Sequence, residues 1–449
     1  MKRRKFIKSS AVAGVGLTML STPSILFGKD DRRVKMGMIG VGLRGRNHLH
    51  LLLQRDDVDV VAICDIDPDS LAKARKMVTE SGKKKVLEFT GSETAFKDLL
   101  SEKSIEGVII ATPWRWHTPM ALAAMKAGKY AGVEVSAAVS LQDCWDLVNV
   151  HEATGVPVMI MENVCYRRDV MAILNMVRQG LFGELTHLEC GYQHDLRDVK
   201  FNNGKQPYGG GVEFGKKGFS EARWRTEHSV KRNGDVYPTH GVGPVGHYLN
   251  INRGNRFSFL TSTATKVRGL HKYIVDQAGP DHPNAKVRFK LGDIVTTVIK
   301  TSNEETITVQ HDTNSPRPYS LGFRVQGTEG LWMDINKSIY IQGKGENDRW
   351  QDAASYLKQY DHPLWKKYEK QAVGAGHGGM DFFVDHAFIE SIKRKVPTPI
   401  DAYDAATWSA VSPLSEMSIA GGSKPVSFPD FTRGQWMKRK SVFAFDDEY

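Results

Sequence analysis

The chain has 449 residues, 41% apolar and 25% charged, a composition that excludes a fibre or a disordered protein and leaves room for two ordinary globular domains. Its formal charge of +10 is concentrated at the start: without Lys2, Arg3, Arg4, Lys5 and Lys8, 56 basic residues face 51 acidic ones. An excess that small and scattered does not make a nucleic-acid surface, so no nucleic-acid partner is expected.

Residues 1–28, MKRRKFIKSSAVAGVGLTMLSTPSILFG, set a twin arginine ahead of a short, weakly apolar run containing glycine. That order reads as a twin-arginine signal peptide, recognised by the export machinery and removed, which would place the folded protein in the periplasm. The run is too short and interrupted for a stable membrane anchor.

Residues 34–65 read as an apolar strand, a Gly-x-Gly-x-x-Gly turn at Gly40, Gly42 and Gly45, a helix, and a second strand ending in Asp65. The glycines permit a tight turn and close approach to a pyrophosphate, while the helix N-terminus offers free N–H groups and positive dipole. Asp65 is placed to accept from the adenosine ribose hydroxyls and would repel a 2′-phosphate, which favours NAD over NADP.

Beyond it, helices are expected over 68–81, over 92–100 with Ser92 as cap, over 117–129 stopped by Gly128, and over 141–154 ended by Gly155. Apolar runs at 107–113, 130–135 and 156–162 suit strands buried on both faces. The alternation makes residues 33–163 an α/β Rossmann domain with a doubly wound parallel sheet. From Tyr166 the texture changes. After an amphipathic helix at 167–179, strands at 185–192, 257–267, 293–301, 305–312, 320–326 and 330–334 suggest a mixed or antiparallel sheet within a second α/β domain, residues 164–449. The glycine-rich stretch 200–233, with Tyr208, Phe214, Phe219 and Trp224, is expected to wall the active site. Helices at 381–393 and 403–420, the latter capped near Asp401, close the chain. Cys64, Cys144, Cys165 and Cys190 lack metal spacing and read as buried free thiols; no metal is assigned.

The segment ATPWRWHTPMALAAMKAGKYAGVEV, residues 111–135, resembles the glucose-fructose oxidoreductase, inositol dehydrogenase and rhizopine-catabolism family. That family's next strand normally ends in Glu-Lys-Pro, with the lysine assisting alcohol oxidation; here Glu134, Val135 and Ser136 stand in its place. Its Asp-x-x-x-His signature is likewise replaced by DVYPTHGVGPVGH at 235–247. Both departures argue against a simple dehydrogenase. The segments GVGLRGRNH, ENVCYRRD, YPTHGVGPVGHYLNINRG and GHGGMDFF are instead similar to the NAD-dependent glycoside hydrolase family 109, typified by α-N-acetylgalactosaminidases.

The resemblance implies a Rossmann domain joined to a domain with a large open sheet. It also implies a cycle in which sugar C3 is oxidised by hydride transfer to NAD, the C2 proton is removed, the aglycone leaves from C1, water adds, and the hydride returns to C3. Tightly bound NAD is thereby recycled with no net redox. Implied NAD contacts are Leu43, Arg44, Asp65, Trp114, Arg115, Trp116, His117, Glu134, Val135 and Asn163. Implied contacts to a glycan or glycoside are Tyr192, Arg225, Tyr237, Pro238, Thr239, His240 and Tyr319, with Tyr237 and His240 as the acid–base pair. His377, set among glycines, is expected to support or gate the site. The rival expectation is an exported NAD-dependent sugar or polyol dehydrogenase. An open sheet commonly pairs through its exposed face, so a homo-oligomer is also expected.

Overall fold

In the computed structural model, which describes residues 32–449, strands β1 (Val34–Ile39), β2 (Val58–Cys64), β3 (Leu87–Phe89), β4 (Gly107–Ile110), β5 (Tyr130–Val133) and β6 (Val158–Ile160) are all parallel. Their order is β3-β2-β1-β4-β5-β6, so chain direction across the sheet reverses between β1 and β4 and opens a crevice at their C-terminal ends. The export signal read in residues 1–28 lies outside the described residues.

Helices α1 (Leu43–Leu53), α2 (Pro68–Glu80), α3 (Phe96–Ser101), α4 (Trp114–Lys126) and α5 (Leu141–Thr154) connect these strands. Local chemistry sets several of their ends. Asp67 caps α2 by accepting from the Ser70 N–H, Ser140 caps α5 through the Asp143 N–H, and Gly155 ends α5 at φ +68°. Two expectations need correction. Ser92 does not cap α3, because its hydroxyl bonds to that of Thr94 at 3.1 Å and the helix begins four residues later. Helix α4 starts at Trp114 rather than His117, because Pro113 supplies an extended entry immediately before it.

The rest of the chain runs α6 (Arg168–Arg178), β7 (Leu185–Gln193), α7 (Arg197–Lys200), α8 (Arg225–Lys231), α9 (Thr239–Tyr248), β8 (Phe257–Ala264), α10 (Gly269–Ala278), β9 (Ile294–Thr301) and β10 (Thr306–Asp312). It continues through β11 (Arg324–Gly327), β12 (Gly330–Met333), β13 (Ser338–Ile341), β14 (Gln351–Asp352), α11 (Ala353–Gln359), α12 (Pro363–Ala372), α13 (Met380–Arg394), α14 (Ala402–Ala420) and β15 (Val426–Ser427). The strands form a nine-stranded open sheet, antiparallel except where β7 and β10 lie parallel. Burial alternates along β9 and β10, as in a sheet with one face on its own core. Helix α14 is capped by Asp401, as expected, and Asp404 completes a capping box there. Helix α13 returns to the first sheet, where Phe388 and Ile392 meet Gly132 and Gly107 so closely that those strand glycines have no room for a side chain.

Candidate functional site

The glycine turn fits a dinucleotide. A Cβ on Gly45 would lie 1.9 Å from the Gly40 carbonyl oxygen, so strand end and helix start touch, whereas one on Gly42 would meet nothing within 4 Å. Gly42 therefore faces the open crevice, at the α1 N-terminus where a pyrophosphate is held. Asp65, directly after β2, accepts from the Val41 N–H at 2.8 Å and the Asp67 N–H at 2.9 Å, with lone pairs left on both oxygens for ribose hydroxyls. Glu134 and Val135 follow β5, and Asn163 follows β6, at the same edge.

A charged network crosses this edge. Arg44 donates from Nε to Glu134 at 2.6 Å and from its two Nη atoms to Asp381 at 2.7 and 3.0 Å. Buried His48 lies 2.8 Å from Glu134 and 2.7 Å from Asp385. Burial opposes its charge, yet Asp385 and the hydrogen bonds to both carboxylates push the imidazole up to about 9. Burial would likewise raise the Glu134 carboxyl, but the Arg44 charge and His48 hold it far below the usual range.

The expected sugar-binding residues meet across the crevice. Tyr192, at the end of β7, has its ring 4.7 Å from Tyr237 and 5.3 Å from His240, and Tyr237 lies edge-on to His240 at 5.0 Å. Trp114 from the first domain stacks on Tyr237 at 5.3 Å, and Arg225 covers both rings at 5.2 and 4.9 Å. Arg225 also pairs with Glu221. Half-exposed Tyr319 stands at the rim, 6.4 Å from Tyr192. Burial pushes the Tyr237 hydroxyl well above its ordinary value, against the pull of Arg225, so the phenol is held neutral.

His240 stands in the first turn of α9, with Pro238 as the residue before the helix and Thr239 buried beside it. Its Nδ1 lies 2.6 Å from Oε1 of Glu162, which has no exposed surface. Beside a carboxylate the ring nitrogen that donates is Nδ1, which in a neutral imidazole leaves Nε2 as the acceptor.

Other expected residues lie apart. His117 turns Nδ1 to the Ser136 carbonyl at 2.8 Å and Nε2 to the Thr112 carbonyl at 2.7 Å, so its polar atoms tie strand-end loops together. Exposed Arg115 pairs with Glu93, and Trp116 packs on Phe96. Of the four aromatics expected to wall the site, Trp224 meets Trp114 at 5.2 Å, while Phe214 packs instead with Phe201 and Phe289 in a separate small core.

The family profile of the glycosyl hydrolase 109 C-terminal domain matches residues 166–438. The chain belongs to glycosyl hydrolase family 109. The oxidoreductase-family profile of the NAD-binding Rossmann fold matches residues 34–162. A glycosyl hydrolase family 109 protein of Stenotrophomonas maltophilia is 57% identical over 454 residues, covering 100% of this chain and 99% of the relative. The alpha-N-acetylgalactosaminidase of Tannerella forsythia is 52% identical over 463 residues, covering 98% and 99%. The scyllo-inositol dehydrogenase of Lactobacillus casei, solved with NAD(H) and scyllo-inositol, superposes with a TM-score of 0.60 over 88% of this chain and 99% of that one; at 14% identity it shows the shared fold. The protein is thus a family 109 glycoside hydrolase with an NAD-binding domain.

Three residues of the candidate site are not picked out from the sequence: Glu162, His48 and Asp381. Glu162 had a signal, an acid at a strand end directly before Asn163. His48 sits inside a helix, and Asp381 reaches Arg44 from 337 residues away, which local pattern cannot reveal.

Proposed function

We propose that the enzyme hydrolyses terminal N-acetylgalactosaminides, with α-linkages preferred, and that NAD stays bound and is recycled within each turnover. The observation that carries the reading is the 2.6 Å pairing of His240 with buried Glu162, beside Tyr237, whose ring stacks on Trp114 of the NAD-binding domain. The name of the Tannerella forsythia relative supports the choice of sugar.

The glycine turn, Asp65, Arg44, Glu134 and Asn163 would hold the cofactor. When bound, NAD supplies a hydride acceptor and donor for the sugar C3, which leaves no net redox change. His240 Nε2 accepts the proton from C2, and Glu162 stabilises the imidazolium that results. Tyr237, neutral at pH 7, donates to a sugar oxygen. The Tyr192 and Tyr319 rings pack against the pyranose, and Arg225 donates to a hydroxyl or acetamide oxygen.

The test is aglycone release from a chromogenic α-N-acetylgalactosaminide by purified enzyme in D2O without added cofactor. Release with deuterium at C2 and no accumulated NADH is expected. Fully retained C2 hydrogen would refute the elimination step, and NADH accumulation that requires added NAD would favour a dehydrogenase. The Arg3-Arg4 leader supports export to the periplasm with the cofactor already in place. Changing both arginines to lysine should strand the enzyme in the cytoplasm; an unchanged periplasmic yield would refute that route.

A further inference from the structure

Asp381 is the second residue of α13, directly after a run of glycines, and has no exposed surface. Its two oxygens gather four partners. Oδ1 accepts from Arg44 Nη2 at 3.0 Å and Asn163 Nδ2 at 2.7 Å; Oδ2 accepts from Arg44 Nη1 at 2.7 Å and lies 2.7 Å from His377 Nδ1. That uses about all the acceptor capacity of one carboxylate. Through Arg44 the set extends to Glu134. Two residues expected to hold NAD, Arg44 and Asn163, therefore converge on one side chain from a distant helix, and a third, Glu134, is tied to it through Arg44.

The loop before α13 is shaped around that carboxylate. Gly376 has φ +82°, and a Cβ there would lie 2.8 Å from Asp381 Oδ2. His377, Gly378 and Gly379 also have positive φ, which lets the segment fold back on itself in three residues. Arg44, meanwhile, spends three of its five N–H groups on Glu134 and Asp381, and its Nη1 also lies 3.5 Å from His377 Nδ1 on the strap.

We propose that Asp381 is a latch: it fastens the strap formed by residues 376–381 to the glycine turn and so slows departure of NAD between turnovers. The inference rests on the reading that NAD is a resident cofactor. It is a positioning role, exerted through Arg44 and Asn163. The opposite possibility has an opposite sign: a carboxylate that merely competed with phosphate for Arg44 would, once neutralised, leave NAD held more tightly.

The experiment loads wild type, Asp381→Asn and Asp401→Asn with labelled NAD and follows its release into excess unlabelled NAD, with thermal melting in parallel. Asp401 is a control, since it pairs with Arg253 in a buried cluster with Asp404 that involves none of these residues. Asp381→Asn is expected to release NAD at least tenfold faster, whereas Asp401→Asn lowers the melting temperature and keeps the wild-type release rate. Gly376→Ala, which pushes the strap off the carboxylate, should reproduce the faster release and serves if Asp381→Asn does not fold. Release by both strap variants within twofold of wild type, or slower, overturns the latch. Rapid exchange by wild type itself would sink the resident-cofactor reading, while the ratio between variant and wild type still decides the latch.

Discussion

Replacing Glu162 by Gln tests the proposed support of the His240 base with little change of shape. Glutamine can still accept from His240 Nδ1 and from the Val164 N–H, the two hydrogen bonds that Oε1 accepts in the wild type. What it loses is the charge opposite the imidazolium formed when His240 takes a proton. Two charges about 4 Å apart at an effective dielectric of about 20 interact by about 4 kcal/mol. The remaining neutral hydrogen bond recovers about 1 kcal/mol. The difference of about 3 kcal/mol corresponds to a fall in kcat of about a hundredfold or slightly more. KM should change little, because Glu162 lies beneath His240 with no exposed surface. The assay is aglycone release from a chromogenic glycoside, run alongside His240→Asn and the double variant. If the two residues act as a unit, the double variant is no slower than His240→Asn alone. A Glu162→Gln enzyme within about threefold of wild-type kcat, or one altered in KM alone, would refute the reasoning.

Trp114→Ala should destabilise the fold by about 3–5 kcal/mol and raise KM, because it removes a buried ring packed on Tyr237, Trp224 and Arg225; a urea midpoint near wild type would count against it. Gly45→Ala would set a methyl group 1.9 Å from the Gly40 carbonyl oxygen. Its turn cannot close, so the purified variant should carry no NAD on extraction, and normal NAD content would contradict that packing. His48, pushed up to about 9 from its ordinary 6.5, stabilises the fold fully below about pH 6.5, and that contribution disappears as pH rises through about 9. Urea unfolding should therefore record a loss on the order of 3 kcal/mol across that window, and His48→Gln should flatten the slope; an equally steep slope in the variant would rule out His48 as its source.

The first sheet is legible in the chain because each of its units carries its own punctuation: Gly40 after β1, Asp67 before α2, Ser140 and Gly155 around α5. Helix α9 is not legible, since Gly241, Gly243, Pro244 and Gly246 lower its intrinsic propensity. Those glycines answer to packing instead. A Cβ on Gly241 would meet the Gly191 backbone at 2.6 Å, and one on Gly246 would meet Trp408 at 2.9 Å, so the helix forms because it can lie directly against β7 and α14. The same limit applies to the site. Residue types in the YPTH segment point to acid–base chemistry, but Glu162, 78 residues from His240, becomes visible as its partner when β6 and α9 are brought together. Cation–π and stacking contacts around Trp114 are hidden for the same reason, being made between domains.

Val135 sharpens the mechanistic reading. It follows Glu134 at the end of β5, where the related dehydrogenases are expected to keep a lysine, and it is buried with no side-chain atom that can carry a proton. Glu134 does not fill that role, since Arg44 and His48 occupy one of its oxygens and hold it ionised. In the proposed mechanism proton handling comes instead from across the crevice, where α9 presents His240 on Glu162 and the segment before that helix sets Tyr237 beneath Arg225. A histidine supported by a buried carboxylate suits a carbon-bound proton that is removed and replaced within one turnover, because the imidazolium is stabilised while the aglycone departs. On this reading, the first domain holds the hydride carrier and the second moves the protons. In the proposed cycle, that separation would let one bound cofactor serve a reaction whose substrate and products differ by water rather than by two electrons.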